Sequence, residues 1–232
     1  MPKPVFLSLD GLDGTGKSTQ CRLLVDWLAN QRILVTACTD PGGTAVGQEL
    51  RKLVLFGREH RIATTTEAMI FMASRAQLVE EVIRPALARG EVVVSDRFTL
   101  ANVVYQGHAG GVLPEDLWTV GRIVTGGLEP DLTLVFDLPL DVALARRRSR
   151  SPEASEQPTG ASAKGEGDRI EARDVEFHKA LKRGFVFEVG RRPEKYRIID
   201  ASPDADTVQR AVRREVARVL AEYGWSVSEG AA

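Results

Sequence analysis

Residues 5–19 read VFLSLDGLDGTGKST, and this stretch decides the fold. Val5 to Leu9 is a short run, apolar but for Ser8, as expected of a strand buried in a parallel sheet. It leads directly into the pattern G-x-x-x-x-G-K-[ST], filled by Gly11 to Ser18. Gly11, Gly14 and Gly16 permit a tight turn that points successive N–H groups inward at phosphate oxygens. Lys17 sets a cation against the β- and γ-phosphates of a nucleoside triphosphate, and Ser18 offers a hydroxyl to Mg²⁺. A helix starting near Lys17 aims the positive end of its dipole at the same anion. The predicted cradle comprises Gly11, Leu12, Asp13, Gly14, Thr15, Gly16, Lys17, Ser18 and Thr19. An ordinary glycine-rich turn is the competing reading, and the strand–loop–helix setting argues against it.

The same alternation continues outward. Further buried-strand patterns lie at 33–38, 91–95, 132–136 and 196–199. Helical patterns lie at 17–30, 44–56, 65–89 and 204–223. No tight hairpin signal joins any two strand candidates, which disfavours an antiparallel arrangement. The expectation is a three-layer α/β/α fold of P-loop NTPase type, with a five-stranded parallel sheet and ligands beyond the carboxyl ends of its strands. The 232 residues fit one domain over 1–225 with a flexible tail at 226–232. Residues 149–167, SRSPEASEQPTGASAKGEG, lack apolar periodicity and are flanked by arginines, so a mobile lid is expected over about 146–170.

Composition narrows the function. Lys plus Arg is 31 and Asp plus Glu is 32, a balance that argues against a general nucleic-acid binder. No apolar stretch is long enough to span a bilayer, and the N-terminus lacks a signal-peptide core, so a cytoplasmic protein without a membrane partner is expected. Cys21 and Cys38 match no metal or disulfide spacing and read as buried reduced thiols. In VVVSDR, residues 92–97, an apolar strand ends in Asp96, which is placed to meet Mg²⁺ or its waters; a helix cap is the alternative role. Arg97 then reads as a phosphate clamp. There is no N-K-x-D motif, which disfavours a GTPase.

GLDGTGKST at 11–19, DPGGT at 40–44, FMASRAQ at 71–77, DRF at 96–98, ANVVYQG at 101–107, PDLTLVFD at 130–137 and DRIE at 168–171 follow one another in a familiar order. Together they resemble the thymidylate kinase family, over nearly the whole chain. The resemblance implies phosphoryl transfer from ATP to dTMP with Mg²⁺, in a homodimer packed through helices. Asp13 resembles the carboxylate near the acceptor, Phe71 the ring that stacks on thymine, and Arg75 the arginine that bonds a thymine carbonyl; on periodicity alone Phe71 reads as core packing. Arg97 resembles the holder of the acceptor phosphate, and Asn102 a contact to the base edge. Tyr105 resembles the ring that crowds the sugar 2′ position, with Gln106 in the same wall, and Arg51 matches either an acceptor-phosphate contact or a solvated helix face. No variable loop position is basic, which resembles the type whose catalytic arginine comes from the lid; Arg169 and Arg148 are the candidates. The adenine pocket is expected around Asp200 and Ala201. The family usually has Arg-Glu before PGGT where this chain has Thr39-Asp40, and Ser where Ala101 stands. The lid is also longer than usual. Another nucleotide kinase, and an ATP-binding switch without an acceptor, remain alternatives at this stage.

Overall fold

The computed structural model describes residues 2–57, 61–148, 170 and 173–227. Its elements in chain order are β1 Val5–Gly11, α1 Lys17–Asn30, β2 Val35–Thr39, α2 Ala45–Phe56, α3 Thr64–Leu78, α4 Arg84–Ala88, β3 Val92–Asp96, α5 Thr99–Asn102, α6 Pro114–Val124, β4 Leu132–Asp137, α7 Leu140–Arg148, α8 Val175–Arg191, β5 Tyr196–Asp200 and α9 Ala205–Glu222. The five strands form one parallel sheet in the order β2-β3-β1-β4-β5. The expected fold is what forms.

β1 is buried along its full length because β3 and β4 flank it and helices cover both faces. Alternate residues divide the core. Leu7, Leu9, Val94 and Leu134 pack with Leu24, Trp27, Val212 and Leu220 from α1 and α9. Phe6, Val93 and Phe98 face the other way, onto Leu78 and Ile83. Phe6 and Phe98 meet edge-on at 4.9 Å between centroids. The two chain ends described are tied together: Trp225 donates from Nε1 to the Lys3 carbonyl at 2.7 Å, and Tyr223 donates to Asp131 at 2.6 Å.

The helix expected over 65–89 is interrupted. α3 passes into a π turn at Val79–Ile83 before α4 begins. Pro85 lacks the N–H of a regular turn and its ring crowds the carbonyl four residues back, so the wider turn relieves it. A second π turn, Val103–His108, continues α5 and carries Tyr105 and Gln106. The cysteines correct an expectation: Cys21 and Cys38 are free thiols, but half-buried rather than fully buried. Among the described residues no helix is long and apolar enough to cross a membrane.

Candidate active site

The carboxyl ends of β1 and β3 lie side by side, with Leu9 in register with Asp96. The loop after β1 and the turn after β3 therefore face one another at the point where the chain's strand order reverses. Gly16 starts α1 with φ 90°, and the first turn of α1 has no acidic residue to compete for an anion. Lys17 is buried and folded back over the loop, donating to the Leu12 carbonyl at 2.6 Å and lying 3.7 Å from Asp13. Burial, then Arg97, pulls its pKa down, against the pull of Asp13 and Asp96.

Arg97 is the hub. Its backbone is left-handed at φ 72°, an uncommon state for a side-chain-bearing residue. Its N–H bonds the Leu9 carbonyl at 2.9 Å, and its own carbonyl accepts from Ser95 Oγ at 2.6 Å. This pinned backbone throws the guanidinium across the loop. It pairs with Asp13, donates to the Gly11 carbonyl at 3.1 Å, reaches Asp10 at 3.4 Å and Tyr105 Oη at 3.2 Å. Tyr105 in turn donates to Asp13 at 2.9 Å. Burial pushes the Asp13 carboxyl up, but Arg97, Lys17 and the Tyr105 hydroxyl together outweigh it and hold it well below the usual range. Asp10 goes the other way. Burial pushes it up to about 6, only partly offset by Arg97 and Lys17. Its Oδ2 has no hydrogen-bond partner among the described residues.

Ser18 donates to Asp96 Oδ2 at 2.7 Å, so a hydroxyl and a carboxylate converge beside the loop. This pair of hard oxygens fits Mg²⁺, which keeps several waters and relies on one or two carboxylates plus substrate phosphates. Among the described residues no group of three or more His, Cys, Asp or Glu could form an all-protein cage.

The second half of the site is built on α3 and α5. Arg75 is buried, yet every arm is held. It donates to Asp40 Oδ2 at 2.6 Å, to Asn102 Oδ1 at 3.1 Å and to the Phe98 carbonyl at 3.4 Å. Asp40, which departs from the family pattern, is thus the buried counter-ion of Arg75; burial raises its pKa against the opposing pull of that arginine. Phe71, one turn before Arg75 on α3, packs with Leu12, Tyr105 and Phe177. Arg51 donates to the Pro41 carbonyl at 2.9 Å, which binds α2 to the DPGGT loop.

Gln106 stands differently from the expected sugar wall. It is buried behind Asn102, accepting from it at 2.7 Å and donating to Glu67 at 2.8 Å. At the other end of the loop, Arg146 donates to the Ala201 carbonyl at 3.2 Å, close to the expected adenine pocket. Arg169 lies outside the described residues, as do most of the lid and the side chain of Arg148, whose backbone ends α7. Four residues of this region were not singled out as partners by sequence: Asp10, Asp40, Glu67 and Arg173. Their only sequence signal is proximity to a motif.

Comparison with known proteins agrees with this geometry. The family model described as thymidylate kinase matches residues 9–212. A thymidylate kinase from Symbiobacterium thermophilum is 39% identical over 216 residues, covering 93% of this chain and 94% of that protein. One from Pseudomonas entomophila is 39% identical over 208 residues, covering 90% and 92%. The crystal structure of thymidylate kinase from Ehrlichia chaffeensis, at 22% identity, shares the fold with a TM-score of 0.68 over 93% of this chain and 99% of that one. With a family match over most of its length, the chain belongs to the thymidylate kinase family, which phosphorylates dTMP to dTDP using ATP.

Proposed function

We propose that this chain carries out that transfer with Mg²⁺, as one kinase domain over 1–225 closed by an arginine-bearing lid at about 146–170. The observation that carries the assignment of roles is the contact of two anion-binding systems. Lys17 and the loop N–H groups serve the donor, while Arg97 leans across that loop toward Tyr105, α3 and the acceptor side. The acceptor phosphate is already an anion, so no strong base is needed. One of its oxygens forms a bond to the γ-phosphorus as the bond to the β-bridging oxygen breaks. The enzyme's work is to hold two anions in line and exclude water. Lys17 and Arg97 offset their repulsion, with Arg169 or Arg148 as the lid contribution. Ser18 and Asp96 would hold Mg²⁺, which when bound supplies charge neutralisation between the β- and γ-phosphates. Asp13 keeps Arg97 extended until the acceptor phosphate arrives.

Phe71, Arg75 and Asn102 take the thymine, Tyr105 the sugar, with Gln106 behind Asn102, and Arg51 supports the acceptor-phosphate loop. Ala201 and Asp200 border adenine. The setting is cytoplasmic dTTP synthesis, which two free thiols suit. The working unit is a homodimer, supported by the exposed Val46, Leu53, Phe56 and Met69 on α2 and α3.

The test is ADP release from Mg-ATP with a panel of nucleoside monophosphates. dTMP should give fast turnover and the others little. Lys17→Ala should cut turnover by about two orders of magnitude or more with the circular-dichroism spectrum unchanged. Preference for another monophosphate would overturn the roles given to Phe71, Arg75, Asn102 and Tyr105. Unchanged turnover in Lys17→Ala would overturn the donor site.

A further inference from the structure

Behind the base-reading residues runs a buried relay with a fixed direction. Glu67 is completely buried at the start of α3. A carboxylate offers only acceptors, so Gln106 must turn its NH₂ toward it; the Nε2–Oε1 distance is 2.8 Å. That leaves the Gln106 carbonyl facing Asn102, whose Nδ2 donates to it at 2.7 Å. Asn102 is then obliged to present Oδ1 to Arg75, 3.1 Å away, and Arg75 finishes on Asp40 at 2.6 Å. Two carboxamides, each able to flip by itself, are thus aligned by a carboxylate at one end and a guanidinium at the other. Gln106, Asn102 and Arg75 are all buried, so water does not substitute for a lost partner.

The outer end of the relay belongs to Arg173. Its Nη2 lies 3.1 Å and 3.0 Å from the two oxygens of Glu67, and its guanidinium sits 4.5 Å from the Phe177 ring centroid. Phe177 is edge-on to Tyr105, at 6.4 Å. Glu67 and Arg173 are 106 residues apart in sequence, so the contact ties α3 to the residues just before α8.

We infer that Glu67 and Arg173 are positioning residues for recognition of the acceptor base. Glu67 sets the sense of the amide relay that aims Asn102 and Arg75, and Arg173 holds Glu67 in place. Because it concerns the acceptor pocket, the inference rests on the dTMP-phosphorylating function proposed above. With the relay reversed, Asn102 would turn its NH₂ toward Arg75, donor against donor, and the guanidinium would move off the keto edge of the base. The loss should fall on dTMP and spare ATP.

The experiment compares wild type with Glu67→Gln, Arg173→Ala, Arg173→Lys and the double variant Glu67→Gln/Arg173→Ala. Steady-state kinetics gives kcat and both KM values, calorimetry gives dTMP affinity, and thermal melts give stability. A glutamine at 67 can donate or accept, so direction is lost. KM for dTMP should rise about tenfold with KM for ATP unchanged and kcat falling less than KM rises. Arg173→Ala should move KM for dTMP in the same direction by less, and Arg173→Lys should restore most of it. The double variant should be no worse than Glu67→Gln alone, since both act along one path. A lowered melting temperature with KM for dTMP unmoved would make the pair a packing device and overturn the inference. So would equal rises in KM for both substrates. Arg173 is 27% exposed at its side chain, so its variants keep the test decisive should Glu67→Gln not fold. Wild-type binding of dTMP with unmoved variants removes this inference alone; failure of wild type to bind dTMP removes it together with the function proposed above.

Discussion

Asp10, next to last in the central strand, is a fully buried carboxyl beside the nucleotide loop, and its cost depends on pH. Its pKa is 3.8 in an ordinary setting and about 6 in the folded chain, because burial outweighs the attraction of Arg97 and Lys17. Between those values the folded protein keeps a proton that the unfolded chain releases. The stability tied to this proton is therefore full below pH 3.8 and is lost as pH rises through about 6. The gap corresponds to about 3 kcal/mol. Asp10→Asn cannot titrate. Relative to wild type it should gain most of that amount between about pH 4 and pH 7, read as unfolding free energy in urea. A difference that stays constant with pH would refute this account. Residues of this kind explain what the sequence leaves hidden. Lys17 and Ser18 can be proposed from sequence because their spacing lies within one loop. Asp40 and Glu67 depend on partners 35 and 39 residues away, which no local pattern supplies. The place of Arg97 directly after β3 is local and suggests a clamp, but its pairing with Asp13, 84 residues distant, depends on the fold.

At the scale of elements, the loop between β1 and α1 is held by a neighbour as much as by its own turns. Gly14 and Gly16 both have positive φ, 85° and 90°, so a side chain strains the backbone at either position. Their surroundings differ. A Cβ at Gly16 would meet nothing within 4 Å, whereas one at Gly14 would run into the Ala143 carbonyl of α7. Without nucleotide, Gly16→Ala should cost only the left-handed strain, about 1–2 kcal/mol. Gly14→Ala should cost more and also weaken ATP binding, since either the loop or α7 must shift. Urea unfolding and calorimetric titration with ATP check this, and equal losses in the two variants would contradict it. The five strands were readable because each is a short apolar run between breakers, and their ends moved by only a residue or two. α6 and α8 were not delimited. α8 turns Val186 and Phe187 outward beside the buried Phe185, which blurs the apolar stripe that marks a helix.

Over the whole molecule, α3 has two faces with separate duties. Glu67, Phe71 and Arg75 recur every fourth residue and point inward, toward Gln106, Tyr105 and Asn102. Met69 of α3 is exposed, as are Val46, Leu53 and Phe56 of the α2 helix packed against it. Leu53 is 43% exposed and Phe56 54%, an apolar surface that a lone chain of net charge -1 gains nothing by showing to water. A second copy laid on this face would cover it and brace the helix that carries Phe71 and Arg75. A stable pairing buries about 1,200–2,000 Å² in total. Leu53→Glu puts a charge in the middle of that face without touching the core. If a second copy covers this face, wild type should sediment as a dimer and the variant as a monomer at the same concentration, and the variant's KM for dTMP should rise while its affinity for ATP holds. A variant that stays dimeric would place the interface elsewhere. A monomer with wild-type kinetics would show that α3 keeps its inner face in order without a partner, through Asp40, Gln106 and Arg173 alone.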